Sequence, residues 1–162
     1  MYTAAILTMS DACYASKRED KATPAVREIL INSGFEVVES ALLPDEKELI
    51  TEKLSLLVSK GYNLIVTTGG TGFSARDVTP EATLMLGGRR ADGVAEAMRT
   101  NSMRYTPRAM LSRGVCVIVD KSVIVNLPGS PKACAENLEF VIEPLKHGID
   151  ALSGAVTECA RK

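Results

Sequence analysis

The chain has 162 residues, 46% of them hydrophobic, and its 19 Lys+Arg against 20 Asp+Glu leave a formal net charge of −1. This length and apolar content suit one compact domain with a real core. The even charge balance excludes a nucleic-acid binder that works through a basic stripe, and no stretch approaches the roughly 18 apolar residues of a membrane helix.

Thr3 to Met9 is a short apolar run that predicts a buried first strand, ended by Ser10-Asp11. A polar loop follows to about Lys21, and Thr23-Pro24 then reads as a helix cap with proline in the first turn. Val26, Ile29, Leu30 and Ser33 share one face of that helix, and Gly34 stops it. Phe35 to Leu43 predicts a second strand. Asp45, with Glu48 three residues on, resembles a capping box for a helix with Leu49, Ile50, Leu54, Leu57 and Val58 on one side, closed by Gly61. Asn63 to Thr68 is apolar on both faces, as central parallel strands are.

After the third strand comes a glycine-rich loop, Gly69 to Asp77, and Thr79-Pro80 reads as the start of the next helix. Ala91 to Met103 is helical from Asp92, and a loop around Tyr105 to Pro107 leads to a short turn at Met110 to Ser112. Gly114–Val119 and Ser122–Leu127 are strands of a hairpin turning at Asp120-Lys121. Ser130-Pro131 opens a last long helix whose apolar stripe runs from Cys134 to Leu152, with Pro144 expected to kink it. Alternating strands and helices predict a three-layer α/β/α fold around a mostly parallel sheet with one antiparallel strand.

Such sheets bind ligands beyond the carboxyl ends of their strands. Three polar or glycine-rich loops leave those ends: Ser10-Asp11, Gly69 to Asp77, and Asn126 to Pro131. Gly69, Gly70 and Gly72 let backbone amides approach a ligand, Thr71 and Ser74 add hydroxyls, and the following helix offers its positive end. Arg76 and Asp77 add the cation and carboxylate that hold phosphates and a divalent metal. The match to G-x-G-x-x-A is not a dinucleotide fingerprint, because it follows the third strand rather than the first. No Gly-Lys-Ser/Thr is present, so it is not the phosphate loop of NTPases either. A plain turn remains the alternative for this loop, a helix cap for Asp45, a strand end for Asp11, and a strand-to-helix turn for Asn126 to Pro131.

His147, the single histidine, reads as structural. Cys13, Cys116, Cys134 and Cys159 form no C-x-x-C pair and read as small, reduced core residues of a cytoplasmic chain, not zinc ligands or disulfides. The first ten residues lack the basic start and long apolar stretch of a signal peptide.

The run Thr67 to Thr83 closely resembles the signature of the MoaB/Mog family of molybdenum-cofactor biosynthesis proteins. Ser10-Asp11, Glu19 to Lys21, Leu43 to Glu46, Ala109 to Arg113, Asn126 to Lys132 and His147 to Leu152 support the resemblance in order. Asp20 to Thr23 departs from the Ser-Gly pair that many relatives carry there. The resemblance spans nearly the whole chain and implies one molybdopterin-binding domain over residues 1–162.

It also implies an adenylyltransferase that moves AMP from MgATP to the terminal phosphate of molybdopterin, releasing pyrophosphate. The product would pass to a downstream molybdenum-insertion protein, and members are usually trimers. The family's two functional aspartates fall on Asp45 and Asp77, which would serve catalysis and hold Mg2+. Ser10, Asp11, Gly69, Gly70, Thr71, Gly72 and Ser74, with Ser112, Asn126, Pro128, Gly129 and Ser130, would bind nucleotide and pterin. The alternative is a molybdopterin-binding protein of the same fold without catalysis.

Overall fold

The computed structural model describes residues 1–155. Strand β1 (Tyr2–Met9) leads into a short helix α1 (Asp11–Tyr14), then α2 (Ala22–Asn32), β2 (Phe35–Leu43), α3 (Lys47–Ser59) and β3 (Leu64–Thr68). Next come α4 (Thr79–Leu84), β4 (Arg89–Arg90), α5 (Asp92–Ser102), a 3-10 turn (Pro107–Leu111), β5 (Cys116–Val119), β6 (Ser122–Leu127) and α6 (Pro131–Ser153). The six strands form one sheet in the order β2-β1-β3-β6-β5-β4. Pairs β1–β2, β1–β3 and β3–β6 are parallel, and β5 is the strand that runs against the rest. This is the predicted mostly parallel sheet with one antiparallel strand.

The strand period of two divides the core. Ala4 and Ile6 of β1, with Leu64, Val66, Val123 and Val125, pack against α2, α5 and α6. Ala5, Leu7 and Met9, with Ile65 and Ile124, pack against α3 and α4. Helix α3 contributes Ile50, Leu54 and Leu57 to the second layer, each essentially inaccessible to solvent, whereas Leu49 turns outward. Burying each such side chain contributes roughly 1.5–3 kcal/mol. Among the described residues no helix is long and apolar enough to cross a membrane.

Several local readings change. Ser10 caps the short helix α1 by accepting from the Cys13 N–H at 3.2 Å, where the sequence suggested only a polar loop. Thr23 lies inside α2, whose N-cap position is Lys21; Asp20 just before it accepts through Oδ1 from Ala22 N at 3.0 Å and Thr23 N at 3.1 Å. Asp45 caps nothing. Glu46 stands at the start of α3 without a side-chain cap bond. Thr79 is itself the first residue of α4, behind Val78. Strand β4 went unread because it is two exposed arginines paired only to the edge of β5.

Ser130 does cap α6, accepting from Ala133 N, and the helix continues unbroken through Pro144. Cys13, Cys116 and Cys134 are free and buried, and burial alone pushes the Cys116 thiol up to about 12. Cys159 lies outside the described residues. His147 is on α6, at the surface.

Candidate functional site

At the carboxyl ends of β1, β3 and β6 lies a cavity of about 1050 Å³. Its walls include Ser10, Asp45, Asp77 and Ser112, the backbone from Gly69 to Gly72, and Asn126 with Pro128 to Ser130. The three loops singled out in the sequence therefore meet at one place. Asp11 and Ser74 stand outside the cavity lining and act on it from behind.

The strand ends approach so closely that Gly69 is required. Its φ is +87°, its N–H donates to Leu127 O at 3.2 Å, and a Cβ there would fall on the carbonyl oxygen of Met9. Two other glycines each face an aspartate. A Cβ on Gly70 would come 3.1 Å from Asp45 Oδ1, and one on Gly72 would come 2.9 Å from Asp77 Oδ2. The loop thus presents bare backbone to both carboxylates.

The polarity of that backbone is sorted. The carbonyls of Gly70, Thr71 and Gly72 accept from Thr79 N at 3.1 Å, Arg113 N at 2.8 Å and Arg113 Nε at 2.7 Å. Among the described residues, none accepts a hydrogen bond from the N–H of Gly70, Thr71, Gly72 or Phe73. Carbonyls tied inward and successive amides left unused make a concave donor surface suited to an anion.

Arg113 is the clamp of this loop. Besides Gly72 it donates through Nη2 to Asp77 O at 2.5 Å, and through Nη1 it pairs with Glu81 at the start of α4. Ser74 ties the far side: its N–H donates to Asp77 Oδ2 at 3.0 Å, while its hydroxyl accepts from Arg76 N at 3.3 Å. Its hydroxyl is therefore part of the loop's own turn.

Arg76 does not join the phosphate-facing surface that the sequence suggested. Its guanidinium forks onto both oxygens of Asp11, at 3.0 and 3.1 Å, and reaches Glu46 Oε1 at 2.7 Å. Planar guanidinium and carboxylate fit each other in this way, bond for bond.

Asp11 and Asp45 sit at the ends of neighbouring strands and differ electrostatically. The Arg76 guanidinium, helped by the Asp45 N–H, holds the Asp11 carboxyl below the usual carboxylate range. Asp45 is pushed up, first by burial and then by the negative charges of Asp11 and Asp77; the Asp11 N–H and Arg76 oppose the shift. A positive ligand would relieve that accumulation of charge.

The Asn126 side chain is anchored within the fold. Its side-chain amide donates to Thr67 Oγ1 at 2.9 Å and Thr83 Oγ1 at 3.0 Å, and its Oδ1 accepts from Val115 N at 3.2 Å. It ties β6 to β3, α4 and Val115, just before β5, at the wall of the cavity. Sequence reasoning missed the wall opposite the glycine loop, where Arg18, Asp20, Arg99, Ser102, Arg108 and Asn137 also line the cavity. Lone polar residues on α5, α6 and the connecting loops carry no local signal of this.

Residues 5–147 match the family described as "Probable molybdopterin binding domain". The chain belongs to this MoaB/Mog family. It is 41% identical over 154 residues to the molybdopterin adenylyltransferase of Escherichia coli K12, covering 90% of this chain and 78% of that protein. Its backbone is similar to the crystal structure of the molybdopterin biosynthesis enzyme MoaB from Thermus thermophilus, with TM-score 0.90, 44% identity and coverage of 95% and 98% of the two chains. It is also similar to the tungsten cofactor synthesizing protein MoaB of Pyrococcus furiosus, with TM-score 0.84, 28% identity and coverage of 93% and 96%. The six-stranded, mostly parallel sheet is thus the MoaB/Mog fold.

Proposed function

We propose that this protein is a molybdopterin adenylyltransferase of molybdenum cofactor biosynthesis. An oxygen of the pterin's terminal phosphate attacks the α-phosphorus of ATP. The bond from that phosphorus to its bridging oxygen breaks, and pyrophosphate leaves with the electron pair. The observation that carries this reading is the row of unaccepted amides from Gly70 to Phe73, set between two carboxylates that each face a glycine. The relatives named molybdopterin adenylyltransferase support it.

The nucleophile is the substrate's own phosphate, so the protein needs neither a nucleophilic side chain nor a strong base. It must bring two anions together and offset their repulsion. The loop amides take up phosphate charge, Arg113 keeps the loop in shape, and Ser112 with the Pro128–Ser130 turn contacts pterin and phosphate.

The residues present fit a magnesium ion. Asp45 and Asp77 each turn a carboxylate oxygen toward the bare glycine backbone of the loop, and magnesium is commonly held by one or two carboxylates together with substrate phosphates. Asp45 and Asp77 would hold it, and it would neutralise the phosphate charge that builds as the bond to phosphorus exchanges. Assembly as a trimer belongs to the same proposal. Phe73, Met85, Tyr105 and Met110, each more than 60% exposed, are apolar surface that partner copies could cover.

Incubation with molybdopterin and ATP tests the reading directly. The wild type releases pyrophosphate and yields adenylated pterin, and Asp77→Ala loses turnover by ~10²-fold or more while still binding pterin. Pterin binding without any pyrophosphate release by the wild type would reduce the protein to a binding module.

A further inference from the structure

Thr79 is fully buried, and its hydroxyl oxygen has no hydrogen-bond partner. Only one other side-chain atom among the described residues shares that condition, Ser122 Oγ, at the opposite end of β6 from the cavity. A buried hydroxyl left unpaired costs stability that a valine of the same shape would not, so an unpaired one in a native fold calls for a reason.

Its surroundings supply one. A Cβ on Gly70 would collide with Thr79 Oγ1 and stand 3.1 Å from Asp45 Oδ1, so both oxygens border the one space that a side chain at 70 would fill. The Thr79 N–H donates to Gly70 O at 3.1 Å, which fixes the residue against this part of the loop. Asp45 Oδ2 already accepts from the Asp11 N–H at 2.9 Å, whereas Oδ1 is the oxygen turned toward Gly70. A donor without an acceptor and a carboxylate oxygen with capacity to spare thus border the same empty space at Gly70.

We infer that Thr79 is a positioning residue for Asp45, its hydroxyl donating to Asp45 Oδ1 once a magnesium–nucleoside triphosphate unit is bound. This rests on the proposed role of Asp45 in holding the metal. With Oδ2 held by the Asp11 amide and Oδ1 by the Thr79 hydroxyl, the carboxylate loses its freedom to rotate. A ligating carboxylate restrained by hydrogen bonds keeps its remaining lone pairs aimed at the ion. Glycine at 70 keeps the path between the two oxygens clear.

The test compares Thr79→Val with Thr79→Ser in the full chain. Calorimetric binding of a non-hydrolysable ATP analogue is measured across a magnesium titration, beside thermal unfolding and the kinetic constants for molybdopterin. Thr79→Val is expected to unfold at or above the wild-type temperature. It should need roughly 10–100-fold more magnesium for half-maximal nucleotide binding with its KM for molybdopterin unchanged, and Thr79→Ser restores the wild-type magnesium dependence. Three results overturn the inference: a Thr79→Val protein with wild-type magnesium dependence, one that unfolds far below the wild type, or a wild type whose nucleotide binding ignores magnesium. A Thr79-dependent magnesium response in a wild type that releases no pyrophosphate would leave the inference standing and sink the transfer reaction instead.

Discussion

Asp11 and Asp45 hold each other by the backbone: the Asp11 N–H donates to Asp45 Oδ2 at 2.9 Å, and the Asp45 N–H donates to Asp11 Oδ1 at 3.0 Å. The exchange staples the loop after β1 to the loop after β2. It leaves Asp45 facing Gly70 while Asp11 faces Arg76. Asp11→Ala removes the acceptor for the Asp45 N–H and frees Arg76 from its fork, so Asp45 loses its fixed bearing on the glycine loop. Turnover is expected to fall roughly 10–100-fold, with a higher magnesium requirement and little change in pterin affinity. Steady-state kinetics over a magnesium series checks this. Wild-type rates in Asp11→Ala would show that Asp45 keeps its place without help.

Arg113 supports the loop from beneath, with three guanidinium nitrogens on Gly72, Asp77 and Glu81. Lysine keeps the charge but offers no planar fork. Arg113→Lys therefore leaves at least one of the Gly72 and Asp77 carbonyls without its donor, at a stability cost of about 1–3 kcal/mol. Urea unfolding measures that cost. Turnover should fall further than stability alone accounts for, because the same bonds set which way the loop amides point. A variant that is destabilised yet fully active in its folded fraction would confine Arg113 to a structural role.

Asp45, Arg76 and Arg113 show where sequence reading reaches and where it stops. Runs such as Leu64 to Thr68, buried on both faces, declare themselves as strands by composition. Gly34 and Gly61 mark helix ends because positive φ there favours glycine. The three loops could be placed on one edge because parallel connectivity forces it. What each charged side chain does is decided by partners distant in the chain. Asp45 reads as a helix cap because Glu48 follows it, yet its partner is Asp11, 34 residues earlier. Arg76 reads as a phosphate cation because it adjoins glycines, yet Asp11, 65 residues away, takes its guanidinium. Arg113 gives no local hint that it clamps a loop 36 residues before it.

On the far face of the sheet, Glu39 on edge strand β2 bridges Lys53 and Lys60, at 2.6 Å each. Hydrogen bonds from Lys53 and then Lys60 lower the Glu39 pKa from 4.5 to about 2, against a smaller opposing effect of burial. A carboxyl whose folded pKa is depressed contributes stability that is present above the unfolded pKa and is lost as pH falls toward the folded one. Glu39→Gln should therefore cost under about 1 kcal/mol at neutral pH, as partly exposed pairs do. The difference from wild type should fade as pH falls from 4.5 to about 2. Thermal unfolding across that range measures it, and a difference that persists at the acid end would assign the effect to packing instead.

Gly69 and Gly61 share a left-handed backbone, φ +87° and +74°, but not a neighbourhood. Nothing lies within 4 Å of a Cβ on Gly61, whereas one on Gly69 would meet the Met9 carbonyl. Gly61→Ala is expected to cost about 1–2 kcal/mol from conformation alone. Gly69→Ala should cost roughly 2–4 kcal/mol, because overpacking against backbone adds to that strain. The carbonyl cannot swing aside as a side chain would: Met9 ends β1, and the next N–H, that of Ser10, is bonded to Leu43 O at 3.0 Å. The chain must therefore yield on the other side, where the Gly69 N–H meets Leu127 O at 3.2 Å and Gly129 packs 3.4 Å from the Gly69 Cα at the position of its own missing Cβ. Parting β3 from β6 at that point widens the cavity floor, so Gly69→Ala should lose turnover even at temperatures where it stays folded. Equal costs for the two substitutions in denaturant would show that the strand ends tolerate separation.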